Sequence, residues 1–130
     1  MVKDFSFPLV LLVAAAGAAG SLLRWGMAVV VQRAAGGSFP WGTYCVNMLG
    51  CLAFGLVVAL AEDKGWLGPQ ARLVALTGFM GAFTTFSTFA YDSALFYREG
   101  LWVMLAANVI GQNVLGVACV LMGLKLGQSL

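Results

Sequence analysis

The sequence predicts an all-α membrane protein of four transmembrane helices, with the third helix broken near the bilayer midplane. Three observations predict it. The 130-residue chain is 62% hydrophobic and 9% charged, whereas a soluble domain carries about 25% charged residues, and so short a chain cannot hide that much apolar surface in one soluble core. Its apolar residues gather into four stretches, roughly 7–31, 43–61, 71–96 and 101–124, each near or above the ~20 residues that cross ~30 Å of hydrocarbon. The third stretch contains Gly78-Phe79-Met80-Gly81-Ala82-Phe83-Thr84-Thr85-Phe86-Ser87-Thr88-Phe89, which reads badly as plain membrane helix: two glycines loosen the backbone, and β-branched threonines follow at once.

Composition excludes several function classes. A net charge of +2 with no basic run offers nothing to a nucleic-acid backbone. Cys45, Cys51 and Cys119 all sit in apolar stretches without C-x-x-C spacing, against both a disulfide framework and a zinc site. The chain has no histidine, which removes the commonest general base and metal ligand, so no catalytic constellation is expected and the chain is read as a non-enzyme. Lys3 precedes an apolar run longer than the hydrophobic region of a signal peptide, and a true membrane span is expected there.

The connectors are short and polar or turn-like: residues 32–40, 62–65 and 98–100. Pro40 and Pro69 stand just before the second and third spans, where proline is tolerated. Trp41, Trp66 and Trp102 fall at span ends, as an interfacial belt would. The reading is one membrane domain, 1–130. An even number of spans puts both termini on one side, with Lys3, Lys64, Arg72 and Lys125, against Arg24, Arg33 and Arg98 on the other. That is almost no positive-inside bias, so both orientations are open, and oppositely inserted copies can pair as an antiparallel two-fold dimer.

In the first span, Gly17 and Ser21 form a small-xxx-small face for close helix contact. Arg24 is ~26 Å along the helix from Phe7 and has two readings: an anchor that snorkels to the far interface, or positive potential at an anion entrance. In the second span, Thr43, Asn47, Gly50 and Phe54 make one helical stripe. A buried amide in lipid needs partners, so Asn47 is either interhelical glue or a donor lining a wet pathway. In the third span, ~10 residues from Ala71 reach the midplane near Met80 and Gly81, which places the expected break at the glycine pair. Discontinuous helices of this kind build ion sites in transporters. Beyond it, Thr85, Thr88 and Asp92 share one stripe, and Phe86 and Phe89 a neighbouring face. Asp92 is the only acid inside a span, near enough to its end to be hydrated. In the fourth span, Asn108 and Gln112 lie one turn apart, as glue or as a second polar lining. Asn113 points away from them, and nothing in the sequence explains it.

Proton-coupled antiport normally wants an ionisable group near the midplane, and a small multidrug-type antiporter would need a carboxylate in the first span, where none exists. What remains is a set of neutral donors: Asn47, Thr85, Ser87, Thr88, Asn108 and Gln112. Neutral donors suit an anion that must shed water without being trapped, and a phenyl edge is positive by its quadrupole, so Phe86 and Phe89 can offer edges to a small, hard anion. These residues argue for an anion channel without choosing the anion.

Gly17-x-x-Gly20-Ser21-x-x-Arg24-Trp25, Pro40-x-Gly42-Thr43-x-x-x-Asn47-x-x-Gly50, and above all the string from Gly78 to Phe89 resemble the Fluc-type fluoride channels, also called the fluoride exporter family, over essentially the whole chain. The resemblance implies a passive fluoride channel that exports cytosolic fluoride and protects the cell from its toxicity. It implies a multi-pass protein of the cell inner (plasma) membrane, built as an antiparallel dual-topology homodimer with two pores. It also implies a structural sodium ion on the dimer axis, held by backbone carbonyls that by motif position belong to Gly81 and Thr84. Its pore phenylalanines fall on Phe86 and Phe89, its pore asparagine on Asn47 and its second-span threonine on Thr43. Asp92 stands where the family usually has Glu, and Asn108 and Gln112 stand where it often has a tyrosine followed by a serine. The alternative is a small dual-topology multidrug-type antiporter.

Overall fold

The computed structural model describes residues 6–130; Lys3, used in the charge count above, lies outside the described residues. All regular structure among the described residues is helical. Helix α1 (Phe7–Ala35) starts with Pro8 in its first turn and stops at Gly36, whose φ of 66° ends the helix. Helix α2 spans Trp41–Glu62. The third span, Pro69–Arg98, comes in four pieces: α3 (Pro69–Leu73), a π-helical segment π1 (Val74–Met80), α4 (Gly81–Phe83) and α5 (Phe86–Arg98). Helix α6 (Trp102–Ser129) completes the chain. All four spans are long and apolar enough to cross a membrane.

The helices run past the apolar stretches read from the sequence, α1 to Ala35 and α6 to Ser129. Apolarity marks the hydrocarbon slab, whereas a helix continues into the headgroup layer while its backbone bonds close. The turn after α1 is fixed by Gln32. Its Nε2 donates to the carbonyls of Gly37 (3.2 Å) and Phe39 (3.1 Å), and its Oε1 accepts from the Gly42 amide (3.1 Å). One side chain thus ties the end of α1 to the first turn of α2.

Few side chains are buried within the single chain: Val46 and Ala59 fully, Phe83 and Phe96 nearly so. Large apolar groups such as Leu22, Val103 and Val117 point outward, as expected where the solvent is lipid. Helix contact in lipid rests on close packing rather than on a hydrophobic drive, and here it does so through glycine. Helix α2 packs most extensively on α6. A Cβ at Gly55 would strike the Val120 carbonyl, and one at Gly123 would strike the Leu52 carbonyl, so each helix presses a backbone against the other. Helix α1 packs on π1 and α4, where Gly20 faces the Phe79 carbonyl and a Cβ at Gly78 would sit 3.0 Å from the Val13 carbonyl. The tightest contact is Gly20 on the Phe79 carbonyl, and Gly17 of the predicted small-residue face takes part beside it, where a Cβ would sit 3.6 Å from the Gly78 carbonyl.

The break in the third span is not at the glycines. Gly81 is helical (φ −60°, ψ −32°), and chain direction changes at Thr84 (φ −80°, ψ 157°) and Thr85 (φ −145°, ψ 110°). Any residue can adopt these extended angles, so no glycine is needed. Gly78 serves close approach to α1 instead. The π segment precedes the break, and such widened turns are rare and gather near functional sites.

Val at Gly123 is expected to force α2 and α6 apart at a cost of about 1–3 kcal/mol, read as a lower thermal aggregation temperature in detergent. Gly26→Ala, where a Cβ would meet nothing within 4 Å, is expected to leave that temperature unchanged.

Candidate functional site

A helix broken inside the membrane strands backbone groups that must find partners. At Thr84–Thr85 the other spans supply them. Asn47 of α2 pairs reciprocally with Thr85: the Thr85 amide donates to Asn47 Oδ1 (2.8 Å), and Asn47 Nδ2 donates to the Thr85 carbonyl (3.1 Å). Arg24 of α1 donates through Nε to the Ala82 carbonyl (3.0 Å). Thr84 folds back on Met80, with both its amide (3.0 Å) and its hydroxyl (3.1 Å) donating to that carbonyl. Arg24 is thus neither a free interfacial anchor nor a bare entrance charge: its cation sits at the negative, carbonyl end of the first half-helix, where a positive charge is favoured.

The second half-helix starts at the break. Thr85 is the N-cap of α5, its Oγ1 accepting from the Thr88 amide at 3.3 Å, and its hydroxyl donates to Thr88 Oγ1 at 2.9 Å. The positive end of the α5 dipole therefore lies within the membrane, beside a cavity of about 270 Å³ lined by Asn47, Thr84, Thr85, Phe86, Phe89 and Gln112 among others. The rings of Phe86 and Phe89 stand 5.5 Å apart, tilted by 52°, and Phe86 is 79% exposed. No carboxylate lines the cavity. A helix N-terminus, neutral amides and ring edges suit an anion.

The break also diverts the helical donors of the Gly81 and Thr84 carbonyls. The Thr85 amide, which would close a helical bond to the Gly81 carbonyl, goes to Asn47. The Thr88 amide, which would close one to the Thr84 carbonyl, goes to the Thr85 hydroxyl.

From Asn47 a run of amides continues through the protein. Asn47 Nδ2 donates to Gln112 Oε1 (2.8 Å), Gln112 Nε2 to Asn108 Oδ1 (2.8 Å), and Asn108 Nδ2 to Ser93 Oγ (3.0 Å) and the Phe89 carbonyl (3.5 Å). The Ser93 hydroxyl donates to the same carbonyl at 2.8 Å. Asn108 is fully buried and Gln112 nearly so.

The structure therefore gathers Asn47, Thr84, Thr85, Phe86, Phe89 and Gln112 at one cavity, with Thr88 just behind. Ser87 is exposed on α5 and Asn108 is sealed in the α5–α6 contact; neither lines it. Thr43 is buried beside the Asp92 carboxyl, away from the cavity. Asp92 Oδ2 is buried with no hydrogen-bond partner among the described residues. Ser93 and Asn113 went unassigned in the sequence. Ser93 could have been found one turn after Phe89, on the same stripe, whereas Asn113 joins the cavity wall with its amide folded back on the Val109 carbonyl (2.7 Å).

Comparison with known proteins places the chain among named relatives. The family model described as CrcB-like protein, Camphor Resistance (CrcB), matches residues 11–124. The chain is 53% identical over 118 residues to the fluoride-specific ion channel FluC of Maridesulfovibrio salexigens, covering 91% of this chain and 94% of that one. It is 49% identical over 116 residues to the protein of that name from Nitrosococcus oceani (89% and 93%), and 43% identical over 118 residues to that from Aquifex aeolicus (91% and 95%).

Because Arg24 closes a charged hydrogen bond at the break, Arg24→Met is expected to destabilise the protein by about 1.5–3 kcal/mol, measured as a drop in thermal aggregation temperature in detergent. A mere interfacial anchor would leave that temperature where it was.

Proposed function

The chain belongs to the CrcB-like family, and we propose that it is a passive channel selective for fluoride. It is a multi-pass membrane protein, and the activity proposed is transport, not catalysis. The observation that carries the reading is the α5 N-terminus beside a cavity walled by two phenyl rings and no carboxylate, in a chain whose relatives are named fluoride-specific ion channels. A small anion at the first turn of α5 meets a positive helix end and the edges of Phe86 and Phe89. Its path continues past the hydroxyls of Thr85, Ser87 and Thr88, with Asn47 and Gln112 in the opposite wall and Thr43 and Asp92 toward one mouth. Sites that are favourable but shallow let an ion leave again. The antiporter alternative lacks its essential group, since the first span carries no carboxylate.

In this reading, hydrogen fluoride enters the cell as a neutral acid and ionises, and the anion leaves down its electrical gradient, which relieves fluoride toxicity. The membrane is the cell inner membrane, and the unit is an antiparallel homodimer. Two features support pairing: Phe86 is largely uncovered, and Gly81 lies exposed beside the break. The carbonyls of Gly81 and Thr84, both deprived of their helical donors, are hard oxygen ligands that suit sodium. Two per chain are too few for a hard cation alone, and two chains give four. Such an ion would neutralise the carbonyl ends of both breaks.

Efflux from liposomes loaded with fluoride tests the function. Electrogenic fluoride release far faster than chloride release is expected, and release no faster than from empty vesicles would exclude the channel. Phe86→Ile and Phe89→Ile are each expected to slow fluoride by about tenfold or more, ~1.4 kcal/mol of barrier, with elution on gel filtration unchanged. Wild-type flux in both would remove the rings from the pathway.

A further inference from the structure

Gln112 lines the cavity, and both of its polar atoms are hydrogen-bonded to neighbouring amides. Its Oε1 accepts from Asn47 and its Nε2 donates to Asn108, both at 2.8 Å. Asn47 is equally occupied: its oxygen takes the Thr85 amide, and its two N–H groups face the Thr85 carbonyl and Gln112. The run ends on Ser93 and the Phe89 carbonyl. Both ends are therefore backbone groups of one turn of α5, the turn that carries Phe86 and Phe89. One end, the Thr85 N–H, can only donate, and the other, the Phe89 C=O, can only accept. Between these ends the orientation of each amide is forced, because reversing any one of them sets oxygen against oxygen or N–H against N–H. A buried group left in that state loses its full desolvation cost, and aligned hydrogen bonds polarise one another.

We propose that Gln112 is a positioning residue for the pore. Through Asn47 on one side and Asn108 with Ser93 on the other, it splints the Thr85–Phe89 turn and so sets the angle at which the two phenyl rings meet the cavity. The inference rests on the reading of those rings as pore walls. Two amides one turn apart on α6 can relay a hydrogen bond from α2 to α5, donor to acceptor at each step. Gln112 Nε2 keeps a second N–H beyond the one given to Asn108, so a direct ion contact is the rival reading that the test separates from the splint.

The test is fluoride efflux with a double-mutant cycle. Gln112→Met, of similar length but without hydrogen bonds, is expected to slow efflux by about tenfold in the wild-type background and by no more than about twofold beside Asn47→Leu, since coupled residues fail additivity. Ser93→Ala, remote from the cavity and mild enough to fold, is expected to slow efflux about threefold, a loss of roughly one net hydrogen bond. Ser93→Thr, which restores a hydroxyl able to bond the preceding turn, is expected to recover it. Equal slowing by Gln112→Met in both backgrounds, or unaltered efflux in Ser93→Ala, would overturn the splint and make Gln112 a direct contact or a bystander. Absence of fluoride efflux in the unmutated protein is a different result, and it would remove the channel reading on which the splint rests.

Discussion

Lipid offers no hydrogen bonds, so a helix can be interrupted inside a membrane only where other parts of the protein satisfy the exposed backbone. The reciprocal pair between Asn47 and Thr85 meets that requirement, and the rest of the structure is arranged to deliver it. The α2–α6 contact, close enough that backbone meets backbone at Gly55 and Gly123, holds Gln112 opposite Asn47. The α1 contact at Gly20 and Gly78 brings Arg24 to the Ala82 carbonyl. Each glycine contact sets a distance, and each polar side chain then fills the gap that the break creates.

The break gives the middle of the membrane two opposite electrical faces. Helix α5 begins there and presents its positive end to the cavity beside Phe86 and Phe89. The first half of the span ends there and presents carbonyls, of which Arg24 takes one and those of Gly81 and Thr84 have lost their helical donors. The broken span therefore offers opposite partial charges on adjacent sides of the same few residues, and no carboxylate lines the cavity beside them. This economy fits a conducting site better than a binding site, because neutral groups and dipoles attract an ion without trapping it.

Much of this was legible in the residues. Four apolar stretches gave four helices, and the hydroxyl-rich string marked the third as interrupted, because hydropathy and composition report directly on the solvent. The position of the break was less legible. Glycine suggests a loose backbone, yet Gly81 is helical and the chain turns at two threonines, because what fixes the break is a partner on another span. The same holds for Arg24, whose acceptor lies 58 residues away, and for Asn108 and Gln112, which read equally well as glue or lining until their partners are in place. Ser93 went unnoticed because a lone serine in a helix usually bonds back to its own preceding turn. It does so here, and it accepts from Asn108 as well.

The central claim is that the third span is extended at Thr84–Thr85 and held so by Asn47. The chain has five threonines, Thr43, Thr77, Thr84, Thr85 and Thr88, so solid-state NMR of threonine-labelled protein in bilayers reads the backbone on both sides of the break at once. Extended-type Cα and Cβ shifts are expected at Thr84 and Thr85 and helical ones at Thr43 and Thr88, with Thr85 losing its single extended signal when Asn47 is replaced by leucine. Helical shifts at Thr85 in the unmutated protein, or a Thr85 signal indifferent to Asn47→Leu, would contradict the account.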